Sequence, residues 1–259
     1  MRFPLPLILP LAVPALIGAA PATPPTWQRI FDGRTLAGWT PKITGHAAGE
    51  DPRHTFVVKN GAIRVSYAGY DRFGGEFGHL FWKAPLGAYR IRFDYRMSGP
   101  SLTDIERWQH RNSGIMFAAQ APDTMATGQQ FPVSLEFQLL GFPRPDREPT
   151  GAVCTPGTTV VYEGRRDPRH CIPSHGPVVP VGRWTRVELE VLPSGEITHF
   201  IDGKPVLHYA APELDPDDRD AQPLLARAHG ERALRRGYIA LQSEGQPLEF
   251  RNIELQRLD

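Results

Sequence analysis

Residues 89–97 read YRIRFDYRM, with Tyr89, Ile91, Phe93, Tyr95 and Met97 on one side and Arg90, Arg92, Asp94 and Arg96 on the other. A period of two sustained over this length describes a half-buried β-strand. It excludes a helix, whose apolar stripe recurs every three to four residues. The alternation returns at 133–140, where Val133, Leu135, Phe137 and Leu139 oppose Ser134, Glu136 and Gln138, and again at 185–192. Shorter runs at 55–58, 62–66, 79–83, 113–119, 197–201, 206–209, 238–243 and 248–255 make ten or more strands. Asn60-Gly61 and Asp202-Gly203 separate neighbouring runs as two-residue hairpin turns do. A weak helical candidate occurs at 221–235. Nothing in the chain repeats, and no shift of composition divides it. The expectation is one all-β domain, a jelly-roll β-sandwich of two antiparallel sheets packed face to face.

Composition narrows the class further. The chain holds 27 prolines and 25 glycines among 259 residues. That is about a fifth, against an ordinary share of roughly 12%, and it excludes a helical bundle. A hydrophobic content of 41% is too high for a disordered chain. The net charge of +1 leaves no electrostatic footprint for nucleic acid or an anionic membrane.

Residues 1–22, MRFPLPLILPLAVPALIGAAPA, read as a secretory signal peptide. Arg2 is basic, an apolar run follows, and small residues surround the expected cleavage site. The run is too short and too rich in proline to span a bilayer. The mature domain is then 23–259, exported to the periplasm or secreted. An oxidising compartment favours pairing Cys154 with Cys171. Such a bond adds about 3 kcal/mol in the chain-entropy view. A metal site with the nearby His170 and His175 is the competing reading, although the spacing fits no common zinc pattern. No cofactor is indicated, and an assisting divalent metal stays open.

Two polar strand faces offer chemistry: Arg90, Arg92, Asp94 and Arg96 on one strand, Ser134, Glu136 and Gln138 on another. The commoner fate of such alternating charges is a solvated sheet face. A retaining glycosidase needs two carboxylates about 5 Å apart. The row Glu136, Gln138, Leu140 supplies one, so an ordinary glucanase constellation is absent, and Asp94 is the candidate for a second from another strand. No G-x-S-x-G, H-E-x-x-H or phosphate-binding loop occurs. Trp39, Trp82, Trp108 and Trp184 read as core residues, with stacking on sugar rings as the alternative.

Several motifs then resemble one family. Phe31-Asp32-Gly33 with Leu36, Gly38 and Trp39 is similar to the opening of the 3-keto-disaccharide hydrolase family. Tyr89–Met97, Asn112-Ser113-Gly114-Ile115, and Glu136-Phe137-Gln138 with Thr150-Gly151-Ala152 follow in the family's order. So do Gly182-Arg183-Trp184, Phe200-Ile201-Asp202-Gly203, Ile239–Gly245 and Phe250-Arg251-Asn252-Ile253. The chain departs from the family at Gly141 and at Ser243-Glu244. The resemblance implies a concanavalin A-like lectin/glucanase sandwich that cleaves the glycosidic bond of 3-keto-glycosides. Cleavage would proceed by hydrolysis, or by C2 proton abstraction and elimination followed by hydration. In that reading Glu136 is base or acid, with Asp94 and His79 as further acid–base candidates. Arg92 or Arg96 faces the developing enolate, and Asn112, Gln138, Gln242 and Glu244 hold the sugar. A lectin-like module that binds sugar without cleaving it is the alternative function on the same fold.

Overall fold

The structure, a computed structural model, describes residues 26–142 and 147–259. The leader expected over 1–22, and the first residues of the expected domain, lie outside the described residues. Among the described residues no helix is long and apolar enough to cross a membrane.

The strands pair antiparallel in two sheets. The seven-stranded sheet runs, edge to edge, Cys171–Ile172, Val153–Cys154, Leu135–Leu140, Asn112–Ala119, Tyr238–Ser243, Gly78–Trp82 and Trp39–Ile43. The ten-stranded sheet centres on Tyr89–Met97, flanked by Thr185–Val191 and Leu248–Arg257. This is the two-sheet jelly-roll sandwich that the alternation predicts, of the concanavalin A-like type that the family resemblance implies.

Period two explains the core. Ile91, Phe93 and Tyr95 project from the larger sheet, and Ile115, Phe117, Leu135, Phe137 and Leu139 from the smaller. All are fully buried, each worth about 1.5–3 kcal/mol on folding. Both hairpin turns form as expected. Asn60 and Gly61 take φ of 53° and 76°, and Asp202 and Gly203 take 48° and 77°. Left-handed backbone at both central positions matches strand twist.

Three departures have physical reasons. Trp39–Ile43 is a strand despite Pro41, because it lies at the sheet edge, where a missing N–H breaks no interior ladder. The Pro- and Gly-rich connection 141–182 holds the short strands Val153–Cys154, Thr158–Tyr162, Arg165–Arg166 and Cys171–Ile172. The helical candidate at 221–235 shrinks to Gln222–Arg227, followed by the left-handed His229 and Gly230.

Candidate active site

Because Leu135, Phe137 and Leu139 face the core, Glu136, Gln138 and Leu140 face outward on the same strand. Strand register extends this outer face. Glu136 pairs with Met116, Gln138 with Gly114, and Leu140 with Asn112. Met116 pairs with Ala240, which places Gln242 on the same side two residues on. Gln242 pairs with His79, and His79 with Lys42. A row of polar side chains therefore crosses the sheet.

A cleft of about 1400 Å³ opens over this face. Glu136, Gln138, Asn112 and Glu244 lie in its wall, with Trp108, Arg111 and the disulfide residues around them. Cys154 and Cys171 are bonded, as expected, across two neighbouring strands with Cα atoms 4.1 Å apart. Cys154 also pairs with Glu136, so the disulfide ties down the sheet edge beside that carboxyl.

Glu136 and Glu244 are only 6% and 1% exposed. Burial raises the Glu136 carboxyl well above the usual glutamate range. Burial raises Glu244 as well, and the Glu136 charge adds to it. Two carboxyls in one dry site do not both ionise readily, so the pair holds a proton near neutral pH. Gly114 leaves room for the Glu136 carboxyl. A Cβ there would stand 2.5 Å from Glu136 Oε1.

The surroundings fix this pair. Ser113 Oγ donates to the Gln242 carbonyl (2.9 Å), and Gln109 Nε2 to the Glu244 carbonyl (3.1 Å). The Gly245 N–H donates to the Tyr67 hydroxyl (2.6 Å), which donates to Ser243 Oγ (3.2 Å). Behind the Glu136 strand, His199 stacks on Phe137 at 4.0 Å. His199 is held by the Gly151 carbonyl (2.9 Å) and the Tyr209 hydroxyl (2.8 Å).

The polar groups of this face share a property. Glu136 Oε1, Glu244 Oε2, Asn112 Oδ1, both Gln242 amide atoms and both His79 ring nitrogens are buried without a hydrogen-bond partner. Each such group costs about 1–3 kcal/mol when left unpaired. In native folds such groups are completed by ordered water, an ion or a bound polar ligand.

Several expected roles need correction. Arg92, Asp94 and Arg96 belong to the other sheet, on its outer face. Arg92 pairs with Glu254 (2.8 Å) and Arg96 with Glu249 (2.5 Å). Asp94 accepts from Arg186 (3.0 Å), Arg251 (3.3 Å) and Asn252 (2.7 Å). Their charges are neutralised by one another, and none reaches Glu136. His79 is on the correct face but fully buried, and desolvation plus the nearby Lys42 push it down to about 3. Its neutral form is favoured, and it does not line the cleft that holds Glu136. The second carboxylate is Glu244, which the strand row alone had not supplied. Trp108 is not core: it is 53% exposed, lines the cleft, and stacks on Phe77. Among the described residues no cluster of three or more His, Cys, Asp or Glu is arranged to hold a metal.

Two buried carboxyls with raised proton affinity in an open cleft make a candidate acid–base site. The family described as the 3-keto-alpha-glucoside-1,2-lyase-like domain matches residues 26–256. The chain belongs to this family. No curated protein matches it. Among solved structures, two proteins of Parabacteroides distasonis provisionally described as glycosyl hydrolases are similar. One has TM-score 0.51 and 16% identity, covering 90% of this chain and 94% of its own. The other has TM-score 0.52 and 14% identity, covering 90% and 100%. The exoplasmic/lumenal domain of VIP36, with Ca2+ and Man3GlcNAc bound, aligns with TM-score 0.51 and 11% identity, covering 89% and 88%. At these identities the likeness shows the fold alone. Membership in a 3-keto-alpha-glucoside-1,2-lyase-like family supports a carbohydrate-related function for the chain.

Proposed function

We propose that this protein cleaves the glycosidic bond of 3-keto-glycosides, with Glu136 and Glu244 sharing the acid–base work. The observation that carries this is the buried Glu136 and Glu244 carboxyls in the cleft wall, both with raised proton affinity and set among unpaired amide groups. A ketone at C3 acidifies the C2 proton. The ionised carboxyl takes that proton, and the electron pair moves into a C2–C3 enolate. The enolate collapses to restore the ketone, forms the C1–C2 double bond and expels the C1 oxygen substituent. The protonated carboxyl gives its proton to the leaving oxygen. Water adding across the double bond would complete a net hydrolysis. General acid–base groups contribute roughly 10²–10⁴-fold each to such steps.

The enolate needs hydrogen-bond donors in a dry setting. The unpaired Gln242 amide, on the same sheet face as Glu136, is the donor in place of the arginines expected from sequence. Trp108 offers a flat apolar surface for a sugar ring. The leader-like residues 1–22 support export as the setting.

The test is incubation with 3-keto-trehalose and with α- and β-3-keto-glucosides, following sugar release and enone absorbance. Turnover that collapses in Glu136→Gln supports the reading. Sugar binding without turnover on every substrate would instead favour the lectin-like alternative, to which the exposed Trp108 also contributes.

A further inference from the structure

We propose that the cleft selects glycosides whose aglycone carries a carboxylate, and that Arg111, helped by Arg107 and Arg147, receives it. The proposal rests on the function given above and names its substrate class.

Three arginines line the cleft, Arg107, Arg111 and Arg147. None makes an ion pair with a described residue, whereas Arg92, Arg96, Arg186 and Arg251 on the opposite sheet are each paired. The carboxylates lining the cleft are Glu148, exposed at the rim, and the buried Glu136 and Glu244. Among the described residues the exposed part of the cleft therefore sets three arginines against one carboxylate, and the buried pair lies apart from them. His170 does not add to the positive charge, because burial favours its neutral form.

Arg111 carries a second, independent sign. Its φ is 61°, in the left-handed region. A long side chain there costs about 1–2 kcal/mol, where glycine would cost little. The backbone is pinned by the Gly141 N–H donating to the Arg111 carbonyl (3.1 Å) and by Asn112 entering the sheet. A glycine would satisfy both contacts. What only arginine supplies is a guanidinium in the cleft, whose planar fork matches a carboxylate with two parallel hydrogen bonds. Arg107 and Arg147 are exposed, whereas the carboxyl pair is buried. The charge they meet therefore belongs to the part of the substrate that projects outward, the aglycone, rather than to the sugar held by the floor.

The experiment compares 3-keto-glucosides of 4-hydroxybenzoate and 4-hydroxybenzamide, phenols of similar leaving ability that differ in charge. The expected kcat/KM is about 10-fold or more higher for the carboxylate at low ionic strength, and the ratio shrinks as salt screens it. Arg111→Gln and Arg147→Gln should bring the ratio toward one. Equal kcat/KM for both substrates with the wild-type protein overturns the proposal. So does an equal slowing of both by the arginine variants, which would assign these residues to the leaving oxygen. If neither compound is cleaved, it is the proposed function that falls. Calorimetry with free 4-hydroxybenzoate and 4-hydroxybenzamide then decides the inference. Tighter binding of the carboxylate, lost in Arg111→Gln, supports it, and equal binding overturns it.

Discussion

The two sheets present outer faces built from the same alternation and put to opposite uses. On the ten-stranded sheet, Arg92, Asp94 and Arg96 meet Glu254, Arg186, Arg251 and Glu249 across neighbouring strands. Each of these three charges has a partner on a neighbouring strand. On the seven-stranded sheet, Glu136, Gln242, Asn112, Glu244 and His79 lie buried with polar atoms that no protein group satisfies. The lesson is that polarity on a strand does not mark a site. A deficit of partners does, because an unpaired buried group is stable only when something else completes it.

The largest expected effect breaks the two faces apart. Glu136→Gln should lower kcat on 3-keto-glucosides by about 10³-fold, the range of a lost general base. Arg92→Gln should leave kcat within about twofold and cost at most about 1 kcal/mol, as partly exposed ion pairs do. Steady-state kinetics and thermal melts on both variants check this. A tenfold kcat loss in Arg92→Gln would return the charged strand to the catalytic account.

The next effect concerns the space that one face needs and the other does not. Gly114→Ala puts a methyl group where Glu136 Oε1 now lies. Misplacing a reacting group by about 1 Å costs on the order of 10²-fold. Gly128→Ala meets nothing within 4 Å and is the matched control. Equal kcat in the two variants would show that the position of the Glu136 carboxyl is not critical.

The faces should also respond to pH with opposite slopes. Glu136 and Glu244 titrate above the ordinary 4.5 when folded. Their contribution to stability is whole below 4.5 and is lost as pH rises through the raised values. Glu254 is the reverse. Burial would raise it, but Arg92 and Arg186 outweigh burial and hold it below 4.5. Its contribution is present above 4.5 and is lost as pH falls. Glu244→Gln should therefore flatten the decline of Tm as pH rises above 4.5 by several degrees, at roughly 2–4 °C per kcal/mol. Glu254→Gln should lower Tm at neutral pH and leave that decline unchanged. Melting curves across pH test both, and a Tm of Glu244→Gln that tracks the wild type throughout would deny the buried pair its proton.

The sequence carried the scaffold further than the site, and the reason is local against non-local information. Tyr89–Met97 and Tyr238–Ser243 are bounded as the alternation predicts, because period two is a property of adjacent residues. Trp39–Ile43 was hidden by Pro41, whose tolerance depends on an edge position that only topology supplies. Glu136, Gln138, Asn112, Gln242 and Glu244 were all nameable from motifs. Their grouping was not, since Arg92 and Asp94 share the same pattern and only strand order separates them. Glu244 was read as a sugar ligand because a strand row counts carboxylates along one strand. The partner comes from a turn two strands away, after Ser243. The departure at Ser243-Glu244 from the family pattern was the signal that pointed there.

Tryptophan gives the smallest and most discriminating contrast between the faces. Trp184 lies against Arg96 and Arg251 at 4.5 and 3.9 Å, so its ring is already covered by guanidinium groups. Trp108 has one neighbour stacked on it, Phe77 at 6.1 Å, and half of its surface stays open to the cleft. An aromatic contact of this kind is worth about 0.5–1.5 kcal/mol. Trp108→Ala should therefore weaken sugar binding about fivefold while leaving Tm nearly unchanged. Trp184→Ala should do the opposite, lowering Tm by a few degrees with binding intact. Calorimetric titration with a 3-keto-glucoside, paired with melting of each variant, reads both quantities. If both substitutions shift only Tm, Trp108 is a packing residue, and the cleft must hold its sugar through the polar floor alone.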